Sequence, residues 1–72
     1  MKKEELLVAI GNKIKELRES KNISLQDLCD FCDFEKPNLV RIEKGRTNPT
    51  IWTLYKIGSA LNTELKEIVN IG

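Results

Sequence analysis

Cys29 and Cys32 stand at the Cys-x-x-Cys spacing that elsewhere marks redox couples and zinc sites. Their surroundings argue against both chemistries. The chain has no histidine and no second cysteine pair, so cysteine and histidine cannot supply four zinc ligands. The pair also falls within a stretch of helical periodicity, where a disulfide between residues three apart is strained away from the first turn. No strand-like segment precedes it to suggest a thioredoxin-like unit. Inert, small core residues are the better reading of both thiols. Without histidine, nucleophilic pairs of the Ser/His or Cys/His kind are impossible, and no glycine-rich phosphate loop is present. The carboxylates are scattered over helix surfaces. No catalytic residue, metal site, cofactor or small-molecule ligand is therefore expected, and the chain does not read as an enzyme.

The residues do support the binding of a polyanion. Residues 36–56 carry five bases, Lys36, Arg41, Lys44, Arg46 and Lys56, against one acid, Glu43, a local charge of +4. Residues 1–35 hold six bases and eight acids, and residues 57–72 one base and two acids, so the whole chain is only +1. A near-neutral chain with one concentrated basic segment suits a polyanionic partner on one face; the plainer alternative is a solvated loop. The 72 residues form one domain. A chain this short buries only roughly 60% of its unfolded surface, so dimerisation would add needed stability. The longest apolar run is Leu6 to Ile10, too short to span a membrane. Lys2 and Lys3 precede it, but acids follow at once and no small-residue cleavage site appears, so no signal peptide is expected and the location is cytoplasmic.

The elements that must position these residues read as helices throughout. Leu6, Leu7, Ile10, Ile14 and Leu17 recur at three- and four-residue steps, predicting a helix over about 4–21. Gly11 within it costs roughly 1 kcal/mol relative to alanine, and either permits close packing or frays the first turns. Asn22 suits a left-handed stop, Ile23 faces the core, and Ser24 caps a second helix over about 24–32, with Asp27 completing a weak capping box. Leu28 and Cys32 point inward, and Asp33 and Phe34 turn the chain, Phe34 plugging the core. A third helix over about 36–44 buries Leu39 and Ile42. Pro37 must lie in its first turn and pushes Lys36 away from helical geometry. Gly45 ends that helix and Thr50 caps a fourth over about 50–61, with Ile51, Leu54, Ile57 and Leu61 as its apolar stripe. Asn62 and Thr63 break the chain before a last helix over about 64–70. With no alternating segment the fold class is all-α. Trp52 and Tyr55 read as core or dimer packing rather than base-stacking residues. A subunit interface is expected from Trp52, Leu65, Ile68, Val69 and Ile71, because the C-terminus is more apolar than one short helix needs; folding back on the core is the other option.

Ser24, Leu28, Phe34, Leu39, Arg41-Ile42-Glu43-x-Gly45 and Asn48-Pro49 fall at the spacing of helix-turn-helix domains of the phage repressor and Cro type. From Ile14 to Ile68 the chain resembles this XRE-type family. The resemblance implies a five-helix λ-repressor-like domain whose helix-turn-helix is formed by helices two and three. It implies a structural ion pair between Arg18 and Glu43. It also implies that Lys36, Pro37, Asn38 and Arg41 read bases in the major groove. Lys36 and Arg41 can donate to guanine O6 and N7, Asn38 can read adenine, and Pro37 can touch a thymine methyl. Lys44, Arg46, Thr47 and Asn48 would then bind phosphates beyond the helix. The family's phosphate-binding glutamine is replaced by Leu25, with Gln26 as a substitute about 100° around the helix. Glu35 stands where a small hydroxyl residue is common, and Asp33 where glycine is common. The expected function is a sequence-specific regulator that binds double-stranded DNA as a homodimer on a two-fold operator. The alternative is a protein-interaction module, antitoxin-like, using helix three or the C-terminal apolar patch.

Overall fold

Four of the corners of this domain use one device. In the computed structural model, which describes residues 1–71, the helices are α1 (Lys3–Ser20), α2 (Leu25–Cys32), α3 (Lys36–Glu43), α4 (Ile51–Ala60) and α5 (Leu65–Ile68). Each of the first four is followed by a left-handed residue: Asn22 (φ 58°), Asp33 (φ 57°), Gly45 (φ 71°) and Asn62 (φ 54°). At each stop the next residue's N–H reaches back five positions, as in Ile23 to Arg18 (3.1 Å), Phe34 to Cys29 (2.9 Å), Arg46 to Arg41 (2.9 Å) and Thr63 to Gly58 (2.7 Å). These are Schellman closures, which satisfy carbonyls that a helix end otherwise leaves unpaired. Aspartate and asparagine tolerate the left-handed conformation, so Asp33 makes the turn where glycine would be usual.

The starts are less uniform. Ser24 Oγ accepts from the Asp27 N–H at 3.0 Å and Thr50 Oγ1 from the Thr53 N–H at 3.1 Å. No side chain caps α3; Glu35 is extended (φ −75°, ψ 140°), and its carbonyl accepts from the Asn38 N–H at 3.0 Å. The expectation that Pro37 would hold Lys36 out of the helix is corrected, because Lys36 is the first helical residue. Proline at the second position breaks no intrahelical bond, and burial of Leu39 and Ile42 outweighs the bias it places on its neighbour.

The core gathers Ile10 and Ile14 from α1, Leu28, Cys29 and Cys32 from α2, Leu39 and Ile42 from α3, Leu54 and Ile57 from α4, then Leu61 and Ile68. Phe34 packs against it and is half-buried. α1 packs on α3 and α5, α2 on α3 and α4, and α4 on α5. Three expectations about apolar residues need correction. Ile68 is fully buried rather than at a subunit interface, because a Cβ on Gly58 would lie 3.0 Å from its Cδ1, so it fills the seam with α4. Leu65 and Ile71 are half-buried against the core, leaving Val69 the exposed residue of that group. Ile51 is 66% exposed, since the first position of α4 projects beyond the layer that Leu54 and Ile57 enter. α5 is also only four residues long.

What positions α3 is a two-point grip by α1. A Cβ on Gly11 would lie 2.5 Å from the carbonyl oxygens of both Ile42 and Glu43, so the missing side chain lets the helices touch through their backbones. Two turns on, the Arg18 guanidinium forks onto Glu43, with Nε donating to Oε2 at 2.8 Å and Nη2 to Oε1 at 3.1 Å. Its Nη1 donates to the Ile23 carbonyl at 2.9 Å. Both residues are 8% exposed. Bonding to Glu43 raises the guanidinium's proton affinity above its ordinary value by more than burial lowers it. Lysine could not reproduce this fork.

Three tests arise from this scaffold. Arg18→Ala should destabilise by roughly 3–5 kcal/mol by leaving Glu43 buried and unpaired, whereas exposed Lys15→Ala should leave the melting temperature unchanged; equal melting temperatures would contradict the buried pair. Gly11→Ala gains about 1 kcal/mol of helix propensity but meets two backbone carbonyls, so a net loss of about 1–2 kcal/mol is expected in a chemical denaturation curve. Cys29 and Cys32 are reduced and buried, and desolvation pushes both thiols above their ordinary pKa. A thiol-specific chromogenic reagent should therefore label them only at the rate of unfolding, and rapid labelling of native protein would contradict their burial.

Candidate nucleic-acid interface

α2 and α3 enclose the turn Asp33–Glu35 and form a helix-turn-helix. Because Leu39, Ile42 and Glu43 face inward, the outer face of α3 is left to Lys36, Pro37, Asn38 and Arg41, all exposed. An eight-residue helix is too short to hold its shape alone in water, so this edge depends on the grip behind it. Arg41 Nη1 donates to Asn38 Oδ1 at 3.0 Å, one turn earlier on the same face. The pair presents an amide and a guanidinium side by side, a donor-rich surface suited to base edges. Exposed Glu35 adds a negative charge at the start of this edge.

Beyond α3 the chain is pressed onto α1, since a Cβ on Gly45 would lie 2.6 Å from the Cα of Val8. The loop then divides the remaining residues between two grooves. Thr47 and Asn48 share a cleft of about 280 Å³ with Asn38 and Arg41, closed by the Thr50 cap of α4. Lys44 and Arg46 face the other way, into a groove of about 460 Å³ lined also by Asn12 and Lys15 of α1. Sequence reasoning missed Lys15, which lies in the net-acidic part of the chain. Its one signal is the three- and four-residue spacing that places it between Gly11 and Arg18 on one strip of the helix.

Two expected contributors stand apart. Gln26 is exposed but lines neither groove, and its Nε2 donates to Asp30 Oδ1 at 3.0 Å on its own helix. Lys56, counted in the basic segment, has its Nζ 4.9 Å from the Phe34 ring centroid and is half-buried on the α2–α4 side. That side carries a separate feature. Trp52 and Tyr55 are 66% and 52% exposed and stack with centroids 5.6 Å apart. Together with Phe31, 64% exposed, they line a shallow cavity of about 420 Å³. Phe31 was also missed, although it projects to one side of the buried Leu28–Cys29–Cys32 face. Among the described residues no cluster of His, Cys, Asp or Glu could hold a metal, and no helix is long and apolar enough to cross a membrane.

The helix-turn-helix family HTH_3 matches residues 14–68, most of the chain. An HTH-type transcriptional regulator of Sinorhizobium fredii is 32% identical over 60 residues, covering 83% of this chain and 78% of that protein. The HTH-type transcriptional regulator SinR of Bacillus licheniformis is 34% identical over 62 residues, covering 85% of this chain but 56% of SinR. The solved structure of the restriction-modification controller protein C.AhdI from Aeromonas hydrophila superposes with a TM-score of 0.83 at 27% identity, covering 86% of this chain and 94% of that one. The shared five-helix architecture and the match over residues 14–68 lead to one conclusion: this chain belongs to the HTH_3, or XRE-type, helix-turn-helix family of DNA-binding transcriptional regulators, which are not enzymes.

Proposed function

We propose that the chain is a sequence-specific regulator that works in the cytosol, binding double-stranded DNA as a homodimer with α3 of each copy in the major groove of one half-site. The observation that carries this reading is the exposed Lys36–Pro37–Asn38–Arg41 edge on a helix locked from behind by a buried ion pair. Lys36 and Arg41 donate to guanine O6 and N7, Asn38 reads adenine, and Pro37 supports a thymine methyl by apolar contact. Lys44, Arg46, Thr47 and Asn48 bind flanking phosphates and fix the register. Gln26 contributes least, because it must first leave Asp30.

Dimerisation uses the apolar surface that the fold leaves uncovered. Val69 offers a small part of it, whereas Trp52 and Tyr55, with Ile51 and Phe31, expose far more. Aromatic side chains of this size bury on the order of 150–250 Å² each in full, and Phe31, Trp52 and Tyr55 are 52–66% exposed, so together they leave roughly 270–450 Å² to cover, a part of the roughly 800 Å² per partner in a standard interface. A two-fold pair then sets half-sites about one helical turn, roughly 34 Å, apart.

Duplexes selected from a random pool provide the test, with affinity followed from low to physiological salt. Several phosphate contacts should make binding fall steeply with salt. Lys36→Ala and Arg41→Ala should each lose about 1–3 kcal/mol per half-site of discrimination between the selected and unrelated duplexes. Salt-insensitive binding, or discrimination untouched by both substitutions, would instead support a protein-binding role for α3.

A further inference from the structure

The groove between α1 and the end of α3 contains more positive charge than the scaffold uses. Lys15, Lys44 and Arg46 line it, and among the described residues none of the three takes part in an ion pair. Its walls include apolar Leu25 and Val40, and its one acid, Glu43, is already neutralised by Arg18. Asn12 adds an amide. The strip Gly11, Lys15, Arg18 explains the placement. Gly11 lets α1 touch the Ile42 and Glu43 backbone and Arg18 grips the Glu43 carboxylate, so Lys15 emerges between the two contacts, beside the end of α3. Lys15 is exposed, and its ammonium is a strongly hydrated point charge suited to phosphate rather than to a carboxylate fork.

We propose that this groove is a phosphodiester site for the backbone of the same duplex that α3 reads, with Lys15 of α1 as a phosphate-binding residue alongside Lys44 and Arg46. The inference rests on the DNA reading above and extends it to a helix outside the helix-turn-helix. It locates the strand: leaving the major groove past Lys44, the backbone runs over the Arg18–Glu43 pair toward Asn12. The contact is to phosphate alone, so it adds affinity without adding sequence preference.

The test compares wild type, Lys15→Ala and Lys66→Ala, the last removing an exposed lysine of α5 that lies outside the groove. Fluorescence anisotropy is read on the selected duplex and on an unrelated one over a salt series. Because each dimer carries two copies of Lys15, Lys15→Ala should weaken both complexes about 25-fold to 100-fold near 0.1 M salt and reduce the slope of log K against log salt by about 1.8, one phosphate contact per subunit. Lys66→Ala should change neither. An unchanged slope for Lys15→Ala, or equal losses for the two variants, overturns the site while leaving the DNA reading in place. Absence of salt-dependent binding by wild type overturns the DNA reading and this site together.

Discussion

The buried fork between Arg18 and Glu43 is the constraint on which the interface depends. Two charges taken from water carry a desolvation penalty, which only good geometry and full hydrogen bonding can offset. Here both carboxylate oxygens accept from the guanidinium, and its third donating nitrogen reaches the Ile23 carbonyl. One side chain thereby ties the last turn of α3 to α1 and to the turn entering α2. The arrangement also tolerates little sliding. A fork has one orientation, and the Gly11 contact eleven ångströms or so along α1 removes the remaining freedom (seven residues at about 1.5 Å each).

Placed behind α3, that constraint separates two jobs. The inner face of the helix is committed to Leu39, Ile42 and Glu43, so the outer face is left to the exposed Lys36, Pro37, Asn38 and Arg41, which the core does not need. Four left-handed stops of the same geometry keep the connections short and their backbone groups paired. Rigidity behind and hydration in front suit a surface whose partner is a regular polyanion. The aromatic face of α4 and the end of α2 obeys the opposite logic, since its apolar surface gains by being covered.

Much of the fold was legible because its signals are local. Helical periodicity, the Ser24 and Thr50 caps and the left-handed stops at Asn22 and Asp33 each depend on a few neighbouring residues, and all appear in place. What was illegible depends on contacts distant in sequence. Ile68 and Ile71 have the same composition as an interface residue, and only the seam with α4 decides that Ile68 is core. Ile51 satisfies the spacing of its stripe yet stands clear of the layer beneath. Lys56 adds to a basic segment on paper, but the fold turns it toward Phe34. Lys15 is the converse, a lysine in an acidic segment that helix packing delivers to the basic groove. Net charge along a chain therefore located α3 and its loop, but it could not assign charges to faces.

If the fork orients the reading edge, its geometry should matter to recognition separately from its charge. Arg18→Lys keeps the positive charge and removes the fork, so its binding to selected and unrelated duplexes should be measured where circular dichroism shows the variant folded. Orientation by the fork requires that the ratio of the two affinities collapse toward one while salt-dependent binding to either duplex persists. A folded Arg18→Lys variant with wild-type discrimination would contradict it.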